Sequence, residues 1–153
     1  MTQLADYQSR IIAAIQSIPD LAALKVRPCV DPDDAFVLNL SKQSEIFVCH
    51  VVSERTGPGV VNTTKQIGRS RWAICTVSTS YSSPTAAQTG IGGIFELVEA
   101  IKKIQAISIG VPGGRNEFLQ WRSDVKTQAP NRAVLGGGSF GYISEYEAPQ
   151  RFF

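Results

Sequence analysis

Leu4, Tyr7, Ile11, Ala14, Ile15 and Ile18 recur three and four positions apart, which places them along one stripe of an amphipathic helix, and Pro19-Asp20 marks where that helix stops. Past it the period changes. Residues 24–30 read as a short strand closed by the turn-forming Asp31-Pro32-Asp33-Asp34, and 45–52, rich in Ile, Phe and Val, read as a second, well-buried strand. The run 36–40 between them fits neither period decisively. Residues 53–70, SERTGPGVVNTTKQIGRS, hold Gly57-Pro58-Gly59 without sustained apolar periodicity, so they form a long loop or a protruding hairpin arm. A long strand, 71–81, follows with many β-branched and aromatic residues. After a turn at Ser82-Ser83-Pro84-Thr85 comes a second helix, and 118–125 and 140–147 read as two closing strands. Strands joined by hairpins, with two helices covering one face, predict an α+β fold: a mostly antiparallel β-sheet, two helices packed on one side, and a long loop or hairpin arm.

The start of the second helix carries the most suggestive chemistry. Gly90, Gly92 and Gly93 follow a strand and open into a helix, the setting in which backbone amides cradle a phosphate. A nucleotide loop also needs a cation, usually a lysine directly after the glycines, and between Arg71 and Lys102 there is neither lysine nor arginine. The apolar phase runs through the glycines, since Ala87, Ile91, Ile94, Val98 and Ile101 share a face, and Thr85-Ala-Ala-Gln88 has the form of a capping box. The helix is therefore expected from Thr85, with the three glycines in its first turns. Each costs about 1 kcal/mol there relative to alanine, and close approach to the sheet or to a neighbouring subunit is the compensation. No cofactor is expected.

With 153 residues and 43% hydrophobic side chains, the chain suits one domain, 1–153, with a substantial core. A formal charge of +2 does not mark a protein that works on nucleic acid or anionic membrane as a whole, so any such contact is local. The N-terminus lacks a basic segment followed by an apolar run, and no apolar stretch is long enough to cross a bilayer; a soluble protein without its own export signal is expected, with no membrane partner. Cys29, Cys49 and Cys75, odd in number and set among strand-forming residues, read as reduced thiols packed as small apolar side chains.

Several patterns suggest catalysis without its context. Gly137-Gly-Ser-Phe-Gly141 matches a nucleophile elbow, but Ser139 leads into the alternating strand Phe140-Tyr142-Ser144-Tyr146 rather than into a helix. Cys49 and the single histidine, His50, are adjacent on a strand and point to opposite faces, while Cys75 is placed to face His50 from a neighbouring strand. Asp31, Asp33 and Asp34 read as a turn in preference to a cation site. Glu145 and Glu147, on one strand face, read as solvating an exposed edge. These readings favour a non-enzyme with no catalytic and no metal residues.

Two features remain that a solitary domain does not need. The arm, about 53–70, carries Arg55, Lys65 and Arg69 against the single acid Glu54, with Arg71 just beyond it; the tail, 149–153, ends Pro149-Gln-Arg151-Phe152-Phe153. Aromatic side chains at a terminus are commonly covered by something. Proline at 149 makes the last strand expected to end before Phe152 and Phe153, leaving them to pack elsewhere.

Taken together, the first helix, the strand around 25–30 ending in an acidic turn, 46–52, the arm, 71–81, the helix 94–104 and the closing strands through Glu147 resemble the tail-terminator, or tail-completion, proteins of Mu-like contractile-tailed bacteriophages. The resemblance implies a homohexameric ring that caps the finished tail tube and sheath and offers a docking surface to the head–neck complex. Its location would be the head-proximal end of the virion tail, and the host cytoplasm during assembly. The family has no active-site residues to carry over. The inferred subunit or partner contacts are Arg55, Lys65, Arg69, Arg71, Gly90, Gly92, Gly93, Arg151, Phe152 and Phe153. The cations are expected to meet acidic surfaces of neighbouring or partner subunits, with DNA in the channel as the alternative. A head-completion or neck protein is the competing reading within the class; a small nucleotide-binding enzyme or regulator using Gly90–Gly93 is the one outside it.

Overall fold

The computed structural model describes residues 2–32, 44–55, 66–78, 89, 93–127 and 140–152. Helix α1, Gln3–Gln16, begins where the Thr2 Oγ1 accepts the Ala5 amide at 3.2 Å, satisfying one of the donors that a helix start leaves open. Tyr7, Ile11, Ala14 and Ile15 form its buried stripe. The chain leaves the helix at Ser17, and a turn of 3-10 helix, Pro19–Leu21, inserts Ile18 and Leu21 into the same core.

Five strands follow: β1 (Lys25–Cys29), β2 (Glu45–Arg55), β3 (Gln66–Ser78), β4 (Gln120–Thr127) and β5 (Phe140–Phe152). They make one sheet in the order β1-β2-β3-β5-β4, in which only β1 and β2 run parallel. Helix α2, Ile94–Ile101, passes into a 3-10 segment, Lys102–Ala106. The fold is the α+β arrangement that the hydrophobic pattern predicts.

Strand periodicity sorts the sheet into two buried faces. Val26, Ile46, Val48, Trp72, Ile74 and Tyr146 point to one side, where they pack with the apolar stripes of α1 and α2; Trp72 and Tyr146 are fully buried. Phe47, Cys49, Ala73, Cys75 and Val77 point to the other, joined by Cys29 and partly by Ile143. The helix side also buries polar atoms: the Trp72 indole donates to Ser70 Oγ at 2.8 Å and Ser144 Oγ donates to Asp124 at 2.7 Å, whereas the Thr76 and Tyr146 hydroxyls have no hydrogen-bond partner among the described residues.

Three expectations are corrected. Helix α2 starts at Ile94 with Gly93 as its extended N-cap residue (φ −70°, ψ 171°), so no helix runs unbroken through Gly93; Thr89 is helical, and the expected start at Thr85 lies outside the described residues. Glycine is a poor helix former, which suits Gly93 to the boundary. The tail does not leave the sheet: β5 continues to Phe152, with Pro149 opposite Arg69 and Phe152 opposite Gln66. β4 stops opposite Glu147, so beyond that point β5 has β3 on one side only, and an edge tolerates a proline that cannot donate. Finally, Glu147 is not a solvated edge residue, because β5 lies between β3 and β4 and the side chain is buried.

The connection from α2 to β4 is pinned by an Ile109 amide to Glu117 carbonyl bond of 2.7 Å and by the Tyr7 hydroxyl, which donates to the Glu117 carboxylate. Gly113 holds a φ of 80°, and a Cβ on Gly110 would collide with the Arg115 carbonyl, so both glycines are conformational requirements of this turn.

Candidate functional site

The described ends of the arm, 53–55 and 66–70, and the tail residues 149–152 lie on adjacent strands. β2 outruns β1, and β5 outruns β4, so that beyond the body of the sheet β2, β3 and β5 continue as a three-stranded ribbon. Within it Ser53 pairs with Ser70, Glu54 with Arg69 and Arg55 with Gly68 on one side of β3; Arg151 pairs with Ile67 and Phe152 with Gln66 on the other. The β3 residues Arg69 and Arg71, two apart, emerge on the sheet face opposite the helices, and Glu147 of β5 lies directly across from Arg71.

A third cation reaches the same carboxylate. The register of β4 against β5 slips between Trp121 and Ser123, leaving Arg122 as the extra residue of a bulge. The slip turns Trp121 toward the helix side, where the Lys102 ammonium lies 4.7 Å from its ring centroid, and lets Arg122 turn to the other face. Arg71 Nε lies 3.3 Å from Glu147 Oε1; Arg122 Nη1 and Arg69 Nη1 lie 3.4 Å and 3.5 Å from Oε2. The Glu147 side chain is 9% exposed, whereas those of Arg69, Arg71 and Arg122 are 43%, 35% and 50% exposed. Arg71 also pairs with Glu54 at 3.6 Å. A buried carboxylate thus gathers three outward-reaching guanidiniums. Each has about five N–H donors against about four acceptor positions on one carboxylate, so most donors remain available to an anionic partner.

On the helix side an open groove of about 860 Å³ runs along α2. Asp20, Phe95, Glu96, Glu99 and Lys103 line it; Lys103 pairs with Asp20 at 2.6 Å, and Glu99 pairs with Lys102 at 3.1 Å. Phe95 is 42% exposed and meets Tyr142 edge-on, with 6.0 Å between ring centroids.

The cysteines and the histidine are held in other roles. Cys29, Cys49 and Cys75 gather in the apolar cluster on the face away from the helices, where hydrogen bonding with Cys75 and burial push the Cys49 thiol far above its ordinary range. That shift suppresses the thiolate a nucleophile requires. His50 lies opposite Trp72 on the helix side, so it does not face Cys75 as expected. Its ring meets Trp72 edge-on at 5.1 Å, Nε2 bonds Ser53 Oγ at 2.9 Å, and burial lowers its basicity. A serine–histidine contact becomes a nucleophilic pair only with a group that orients the ring and an oxyanion cradle; here the ring is braced by an indole.

Of the contacts inferred from sequence, Arg69 and Arg71 come together. Arg55, Arg151 and Phe152 join them on the ribbon through their backbone pairing. Gly93 lies apart, buried at the start of α2. Lys65, Gly90, Gly92 and Phe153 fall outside the described residues, as do Ser139 and the turn residues Asp33 and Asp34. Sequence reasoning missed Arg122 and the central role of Glu147. The signal was present in Arg69 and Arg71, two apart, and in Glu147, which becomes their common partner once β3 and β5 are neighbours, directly across from Arg71 and diagonal to Arg69.

Among the described residues, no group of three or more His, Cys, Asp or Glu side chains is arranged to hold a metal ion, and no helix is long and apolar enough to cross a membrane. The chain matches no family model and no curated protein sequence.

Proposed function

We propose that this chain is a structural subunit of a bacteriophage tail terminator: six copies form a ring that caps the completed tail tube and sheath and offers the head–neck complex its docking surface. The reading rests on the resemblance in the order and spacing of elements. Its strongest structural support is the three-stranded ribbon of β2, β3 and β5, which carries the described ends of the arm and the C-terminal strand end beyond the span of β1 and β4, with the arginine cluster at its base where Arg122 of β4 joins Arg69 and Arg71. A capping ring must grip neighbouring copies and two unlike partners at once. A ribbon whose strands are paired through their backbones projects charged side chains from a stiff support, which favours docking in one register over flexible adhesion.

The test is reconstitution. Tail tubes with sheath assembled without this protein should acquire a ring at one end when the purified protein is added, visible by electron microscopy, and should then join to filled heads. If the protein leaves such tails bare and instead closes the neck of heads, the neck-protein reading replaces this one.

A further inference from the structure

The ring reading leaves open which surfaces meet, and the inference here rests on it. We propose that adjacent copies join head to tail, the Arg69–Arg71–Arg122 cluster of one copy docking into the Asp20–Phe95–Glu96–Glu99 groove of the next. The two surfaces are complementary in charge. One presents three guanidiniums around a single buried carboxylate, with Glu54 at its margin. The other is lined by Asp20, Glu96, Glu99 and Lys103, and with Lys103 on Asp20 and Lys102 on Glu99 it keeps an acidic excess of one charge.

They are also complementary in chemistry. A guanidinium binds best where a carboxylate meets its edge and an aromatic ring its face. The chain already builds that arrangement internally: Arg27 bonds Glu45 at 2.7 Å while lying 5.0 Å from the centroid of the Phe47 ring. The groove offers the same pair of elements on its surface, in Phe95 beside Glu96 and Glu99. Placement decides the symmetry. The cluster lies on the sheet face away from the helices and the groove lies on the helix layer, so the two patches of one subunit do not coincide. Contact between unlike patches is heterologous, the kind of interface that closes rings, whereas a self-complementary patch stops at a dimer.

The experiment measures assembly mass by sedimentation velocity for the wild type, Arg122→Glu, Glu96→Arg and the double variant, with a melting curve for each. The single reversals should weaken association at least about tenfold in protein that remains folded at the assay temperature, Arg122→Glu also melting somewhat earlier because it faces Glu147, and the double variant, which restores opposite charges across the contact, should recover association without recovering that melting temperature. If either single variant is unfolded at the assay temperature, Arg69→Glu with Glu99→Arg supplies a second pair. Rings that survive both reversals, or single defects that the double variant fails to repair, overturn the pairing while leaving the ring in place. Intact Arg122→Glu rings that have lost retention of duplex DNA overturn it in favour of a nucleic-acid role for the cluster. A wild type that stays monomeric at every concentration and with tail tubes present overturns the ring reading itself.

Discussion

Tyr146 and Trp72 are paired across β5 and β3 at the centre of the helix-side core, and both are fully buried, yet their polar atoms fare differently. The Trp72 indole has Ser70, while the Tyr146 hydroxyl has no hydrogen-bond partner among the described residues. An unmatched buried hydroxyl is destabilising, so Tyr146→Phe should raise stability by about 1 kcal/mol in urea unfolding, whereas Trp72→Ala, which empties a large volume, should lower it by about 3–5 kcal/mol. His50, edge-on to that indole, supplies a pH dependence. Burial lowers its basicity, so the folded state favours the neutral ring. Its contribution is complete above the unfolded value of about 6.5 and is lost as pH falls from there through the lower folded value. Urea midpoints measured from pH 7.5 down to pH 5 should therefore fall, and His50→Gln should flatten the decline. Asp124 acts in a lower window: burial opposes its ionisation, but Ser144, Trp121 and Lys102 outweigh that and hold its pKa below the ordinary value, so its contribution disappears only as pH falls below about 4.

β5 is the element on which both the ribbon and the arginine cluster depend. Deleting residues 149–153 removes its pairing with Gln66–Arg69 and leaves the described helix-side core residues in place, so amide exchange at 66–69 should accelerate at least about tenfold with little change in global melting. Loss of the whole transition would instead show that the strand end holds the core. Glu147→Gln keeps the shape and removes the charge that three arginines share; since those arginines are 35–50% exposed, the loss should be about 1–2 kcal/mol. Elements with a strong local period were readable in the sequence: the α1 stripe Tyr7, Ile11 and Ala14, the α2 stripe Ile94, Val98 and Ile101, and the Trp72–Val77 strand. The rest depended on pairing. Nothing local shows that β5 lies inside β4, and that placement makes Pro149 an acceptable edge residue and brings Glu147 under the arginines. The Arg122 bulge is a register slip between two strands, invisible to the periodicity of either one.

In the whole molecule, a sheet covered by helices on one side supports two unlike surfaces, an arginine cluster at the base of the ribbon and an acidic, aromatic groove along α2. Surfaces held together by charge carry a salt signature, since exposed ion pairs weaken once the screening length falls to a few ångströms. Assembly should therefore loosen between about 0.1 M and 1 M salt, and light scattering across that range reads it directly. A closed ring of this chain has one fixed mass, and an open assembly does not. With a subunit of 16.6 kDa, native mass spectrometry of the purified protein, alone and released from capped tail tubes, should give a discrete species of about 100 kDa, six copies, with no ladder of larger sizes. A monomer under both conditions, or an open series of masses without a stop, would contradict the account.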